Sequence, residues 1–119
     1  MAKILIVDDD NQITTLFEAF LIAEGYEAVG VNESAKALEI AKSMEPNLFI
    51  LDLMMPEPDG FKLCRMLRAE PKFKHTPIII ITALGDSDSR AVAFGAGADD
   101  YLQKPFHINE LAKRIKALI

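Results

Sequence analysis

Short apolar runs alternate along the chain with stretches in which apolar residues recur every three or four positions. Ile4 to Val7 is continuous and apolar, the pattern of a strand covered on both faces. Ile13, Leu16, Phe17, Phe20 and Leu21 then repeat at helical spacing, and Gly25 supplies a C-terminal stop. Tyr26 to Val31 alternates, as a less fully covered edge strand does. Asn32 or Ser34 is placed to cap a second helix with Leu38, Ala41 and Met44 on one face, and Pro46 ends it. Leu48 to Leu51 predicts a third strand, followed by a loop holding Pro56, Pro58 and Gly60. Leu63, Cys64 and Leu67 give the next helix its inner face, with Pro71 as its stop. Ile78 to Ile81 is the most hydrophobic segment and predicts a central strand. Asp86 to Phe94 reads as a helix poor in large apolar residues, flanked by Gly85, Gly95 and Gly97. Asp100 to Leu102 is a short fifth strand, and Ile108, Leu111, Ile115 and Leu118 form a last helical stripe.

Five strand–helix units imply right-handed crossovers and helices on both faces of a parallel sheet. The expected fold is therefore α/β, a doubly wound five-stranded flavodoxin-like sandwich. Its strand order is taken as 2-1-3-4-5, the common small arrangement, since periodicity does not specify order. No linker or repeat interrupts the pattern, so residues 1–119 are expected to form one domain. A formal charge of −5, with no basic cluster larger than Lys113, Arg114 and Lys116, argues against sequence-independent nucleic-acid binding by this segment. The apolar runs are too short to cross a bilayer, and Met1-Ala2-Lys3 leads into a strand without a signal-like segment. With a single cysteine, Cys64, no internal disulfide can form; Cys64 is read as a small buried residue. A cytoplasmic location is expected.

Ligands in open parallel sheets bind at the carboxyl ends of the strands. Asp8 and Asp9 end the first strand, Asp52 the third, Thr82 the fourth and Lys104 the fifth. Helix capping explains one acid of the first group, Asp10, but not Asp52, which stands within an apolar stretch. Carboxylates about 5 Å apart repel by roughly 3 kcal/mol per pair at an effective dielectric of about 20. Either some are protonated or a cation sits among them, and oxygen ligands with room for water suit Mg²⁺ better than Zn²⁺. A metal, a carboxylate, a hydroxyl and an ammonium together match phosphoryl transfer. Asp52 is the candidate nucleophile, with Mg²⁺, Lys104 and Thr82 each meeting one phosphoryl oxygen.

Val7-Asp8-Asp9, Asp52-Leu53-Met54-Met55-Pro56 with Asp59-Gly60, Thr82-Ala83, and Asp99-Asp100-Tyr101 leading to Lys104-Pro105-Phe106 occur in that order. Over its whole length the chain resembles the receiver domain of bacterial two-component response regulators. The resemblance implies that Asp52 accepts a phosphoryl group from a histidine kinase or histidine phosphotransfer protein. It implies that Asp9, Asp52 and the Met54 carbonyl hold Mg²⁺ directly, that Asp8 acts through water, and that Lys104 pairs with the phosphoryl oxygens before a cis Pro105. Thr82 and Tyr101 become the switch pair; on residue type alone, Tyr101 reads as an edge aromatic. The Gly-, Ala- and Ser-rich fourth helix is expected to carry the signal with strand 5 and helix 5, to a homodimer partner or an output domain.

Departures from the family pattern bear on this. Asp100, Arg90 and Arg114 fit a charged dimer face, whereas Val92 and Gly95 replace expected charges. His107 stands where a serine cap often precedes Glu110, and His75 is expected in solvent. Met54 and Leu84 are apolar and poorly suited to orienting an attacking water. The competing reading is a Mg²⁺-dependent phosphatase or phosphotransferase working through an aspartyl phosphate. It calls for a second acid two residues after the nucleophile, where Met54 stands. A flavodoxin-like binding module calls for a Ser-, Thr- or Gly-rich first loop, where Asp8-Asp9-Asp10 stands.

Overall fold

The computed structural model describes residues 1–119. Strands β1 (Lys3–Val7), β2 (Glu27–Val31), β3 (Leu48–Asp52), β4 (Ile78–Thr82) and β5 (Asp100–Gln103) form one parallel sheet in the order β2-β1-β3-β4-β5. Helices α1 (Asn11–Ala23), α2 (Ala37–Met44), α3 (Gly60–Ala69), α4 (Ser87–Gly95) and α5 (Ile108–Leu118) connect and cover it.

Alternation within each buried strand sorts side chains into two cores. Ile4, Ile6, Ile50, Ile79 and Ile81 meet Phe17 and Leu21 of α1 and Leu111 and Ile115 of α5. Leu5, Val7, Phe49, Leu51, Ile78 and Ile80 meet α2, α3 and α4 on the other side. This is why β1, β3 and β4 read as unbroken apolar runs: both of their faces are covered. Edge strand β2 buries only Val31.

The helix stops arise as residue chemistry dictates. Gly25 follows α1 at φ 95°, in the left-handed region that glycine enters without penalty. Glu45 ends α2 in the left-handed region at φ 54°, uncommon for a residue other than glycine, immediately before Pro46, whereas Glu70 is extended before Pro71, as the residue preceding a proline tends to be. Pro71 itself opens a short 3-10 turn, Pro71–Phe73.

The expected cap of α2 is not found. Neither Asn32 nor Ser34 caps α2, which is entered through a 3-10 turn at Ser34–Lys36 with no side-chain cap. Each makes a distant contact instead. The Asn32 amide donates to the Asp8 carbonyl, and the Ser34 hydroxyl donates to the Pro56 carbonyl. Strands β3 and β4 also run one residue past their apolar runs, taking in Asp52 and Thr82. That extension places both polar side chains on the sheet itself.

Candidate functional site at the carboxyl edge of the sheet

Register brings the polar residues together. Val7 pairs with Leu51, Asp52 with Ile81, and Thr82 with Gln103, so Asp8 and Asp52 stand level at the carboxyl edge, with Thr82 one residue and Lys104 two residues further along the next strands. Oxygens of Asp8, Asp9 and Asp52 lie within 4.8 Å of one another. Asp8 and Asp52 are buried, whereas Asp9 is exposed. Lys104 Nζ donates to Asp8 Oδ2 and to Asp52 Oδ2, at 3.2 Å each.

The pocket is electrostatically unbalanced. Burial pushes the Asp8 carboxyl above its usual range, while the Asp10 amide and the Lys104 ammonium oppose the rise. Burial works against the charge on Lys104, but attraction by Asp52 and Asp8 outweighs it and raises the ammonium's pKa. When all are ionised, three carboxylates face one ammonium and leave two negative charges uncompensated. Oxygen-only donors with that surplus fit a hard divalent cation such as Mg²⁺, with no thiolate or imidazole in the set to favour a softer metal.

Local structure holds Asp8 and Asp52 in place. Asp10 caps α1 by accepting from Gln12 N and Ile13 N, and its own amide donates to Asp8 Oδ1 at 2.9 Å. Met54 N donates to Asp52 Oδ1 at 3.2 Å, turning the chain back at the end of β3. Asp59 caps α3 through Lys62 N, and the helix begins so close to β3 that a Cβ on Gly60 would lie 2.2 Å from the Asp52 carbonyl oxygen. Only glycine fits there. The Lys104–Pro105 bond is cis as expected, and Glu57–Pro58 is also cis, which the residue pattern did not indicate.

Thr82 and Tyr101 lie behind the acids. Both are buried, Tyr101 even though it stands on the edge strand β5. They grip the same residue of the β4–α4 loop: Leu84 N donates to Thr82 Oγ1 at 3.3 Å, and the Tyr101 hydroxyl donates to the Leu84 carbonyl. The Arg90 guanidinium stacks 4.8 Å from the Tyr101 ring centroid. Arg114 bonds within its own chain to Asp100 and Glu110.

Cys64 is buried in α3, its Sγ against the Ala96 carbonyl, and burial pushes its thiol up to about 11, which disfavours the thiolate. His75 is exposed, and His107 precedes α5 without a side-chain cap. Arg68 was missed in the pattern of residues. It donates to the carbonyls of Gly97, Phe73 and Thr76 and to Asp99 Oδ2, which also accepts Ile78 N. The Asp99–Asp100 pair was visible as part of a motif, but nothing local to Arg68 marks it as the hub that ties α3 to β4 and to the C-terminal end of α4.

A 2-1-3-4-5 sheet with an acidic, lysine-bearing cluster at its carboxyl edge defines a CheY-like α/β module. The chain belongs to the response regulator receiver domain family, whose model matches residues 4–116, and it is a receiver domain of the two-component type. It is 39% identical over its whole length to RpaA of Synechocystis sp., described as a DNA-binding dual master transcriptional regulator, and covers 49% of that protein. The chain thus spans about half the length of the curated relatives it matches. Among solved structures it resembles the chemotaxis protein CheY4 of Vibrio cholerae, with TM-score 0.95 and 29% identity, covering 100% of this chain and 99% of that one. It also resembles the receiver domain of the sensor histidine kinase PA1611 from Pseudomonas aeruginosa, with TM-score 0.89 and 31% identity, covering 98% and 96%. That structure is described with a magnesium ion coordinated in its active-site cleft. No helix of the present chain is long and apolar enough to cross a membrane.

Proposed function

We propose that Asp52 accepts a phosphoryl group from a histidine kinase or histidine phosphotransfer protein, the chain catalysing only its own phosphorylation and dephosphorylation. The observation that carries this is the Lys104 ammonium bridging two buried carboxylates beside a third acid. A bridging lysine of that kind serves no helix cap and lies at the end of the sheet where ligands bind.

Asp9, Asp52 and the Met54 carbonyl would hold Mg²⁺ directly, and Asp8 through water, as the resemblance to receiver domains implies. Bound there, the ion neutralises charge on the phosphoryl oxygens. The Asp52 carboxylate attacks phosphorus, forming the O–P bond as the bond to the donor nitrogen breaks with its electron pair. Lys104 exchanges its contact with Asp52 for a phosphoryl oxygen, and the Thr82 hydroxyl donates to another. Thr82 and Tyr101 both hold Leu84, so a turn of the Thr82 hydroxyl is felt by the β4–α4 loop. The α4–β5–α5 surface then meets a second copy or an output domain, in the cytoplasm. In the longer protein that output would be DNA binding, as the description of RpaA suggests. The phosphatase alternative gains no support, because position 54 offers a thioether rather than an acid.

Incubation with a labelled small phosphodonor and Mg²⁺ tests this. The label is expected on the wild type, to be released by hydroxylamine as an acyl phosphate is, and to be absent from Asp52→Asn. Equal labelling of Asp52→Asn would refute the assignment.

A further inference from the structure

We infer that Asn32 is a positioning residue for the cation site, acting on Asp9 through the backbone of the acidic loop. This rests on the Mg²⁺ reading above and extends it to a residue on the far side of β1.

Asp8 and Asp52 have their carboxylates fixed by Lys104 and by backbone amides. Asp9 does not. Its carboxylate is exposed and takes no hydrogen bond from the protein, so its direction is set by the backbone that carries it. The peptide plane leading into Asp9 contains the Asp8 carbonyl, and that carbonyl accepts Asn32 Nδ2 at 2.9 Å. The same Nδ2 donates to Thr14 Oγ1 at 3.0 Å, and the Thr14 hydroxyl donates onward to the Asn11 carbonyl at 3.1 Å. Thr14 is buried under this contact. Upstream, Asp8 N donates to the Val31 carbonyl, so the loop is fastened to the end of β2 on both sides of Asp8.

Asn32 is thus not occupied in capping the helix that follows it. Its two donor hydrogens clamp the Asp8–Asp9 peptide to α1. Partners that orient metal ligands from outside typically contribute about 10–100-fold in metal affinity. Mg²⁺ demands near-octahedral geometry, whereas Ca²⁺ tolerates irregular coordination. A clamp that sets an angle should therefore matter more for Mg²⁺ than for Ca²⁺.

Calorimetric titration of wild type and Asn32→Ala with Mg²⁺ and, separately, Ca²⁺ tests the inference, alongside urea unfolding in chelator. Asn32→Ala is expected to weaken Mg²⁺ binding roughly 10-fold, with a smaller loss for Ca²⁺, so that the ratio of the two affinities moves. An unchanged Mg²⁺ affinity overturns the inference, as does an equal loss for both ions that merely tracks a fall in stability. Absence of Mg²⁺ binding in the wild type would instead refute the function proposed above. Should Asn32→Ala not fold, Thr14→Val removes the hydroxyl on the other side of the clamp. It is expected to shift the ratio in the same direction, and no shift overturns the inference.

Discussion

Lys104 is the single positive charge among the acids, and its removal leaves Asp8 and Asp52 buried side by side. Breaking a fully buried ion pair costs about 3–5 kcal/mol; with the lysine side chain 25% exposed, about 2 kcal/mol is the scale expected for Lys104→Met without metal. Urea unfolding in chelator should show that loss, and Mg²⁺ should recover much of it, because the ion neutralises the same carboxylates. No recovery would mean that the acids do not share a cation. The Asp8 carboxyl makes a second residue-level test through pH. Its folded pKa is raised above 3.8, so over the window from 3.8 up to the folded value the native state holds a proton that the unfolded chain has released. Its contribution to stability therefore falls as pH rises through that window. In chelator, wild type compared with Asp8→Asn should gain relative stability as pH is lowered through that range. A flat difference would show that Asp8 is not strained by its burial.

At the scale of elements, α4 is held unevenly. Its N-terminal half buries nothing, while Ala93, Ala96 and Ala98 at its far end pack into the core and Arg68 holds the Gly97 carbonyl. A helix anchored at one end and weakly packed at the other is free to respond to its loop, and the loop is gripped by Thr82 and Tyr101. Phosphorylation is expected to alter amide exchange across residues 84–106. Thr82→Ala should still take up phosphate but show little of that change, and an unaltered response in the mutant would remove Thr82 from the switch. The elements themselves were legible from hydrophobic periodicity because β1, β3 and β4 are covered on both faces and α1 and α5 present clear apolar stripes. Asp8, Asp9, Asp52 and Thr82 were legible because they close apolar runs, and Lys104 because it stands just past the fifth strand before Pro105. What local pattern did not reveal are bonds that join distant segments: Asn32 to Asp8, Ser34 to Pro56, Arg68 to Asp99. A polar residue after a strand looks like a cap whether its partner is two residues away or twenty, and only the assembled sheet distinguishes the two. The burial of Tyr101 was hidden similarly, since the Leu84 carbonyl that accepts its hydroxyl is supplied by another strand's loop.

For the molecule as a whole, two cores support a sheet whose carboxyl edge carries the proposed chemistry and whose α4–β5–α5 side carries the proposed output. The residues flanking the proposed phosphorylation site would help set how long a signal lasts. Met54 is 57% exposed beside Asp52, and Leu84 packs partly against the core, so neither offers a polar group to orient water. Loss of label should take minutes or longer, and Met54→Gln should shorten it; decay within seconds in the wild type would contradict this reading. The most direct measurement is the intact mass of the wild-type chain incubated with acetyl phosphate across a Mg²⁺ titration. One phosphoryl group per chain should appear as Mg²⁺ is raised, vanish in chelator and be missing from Asp52→Asn. Phosphoryl uptake that ignores the metal, or that persists without the Asp52 carboxylate, would contradict a magnesium-assisted transfer to that residue.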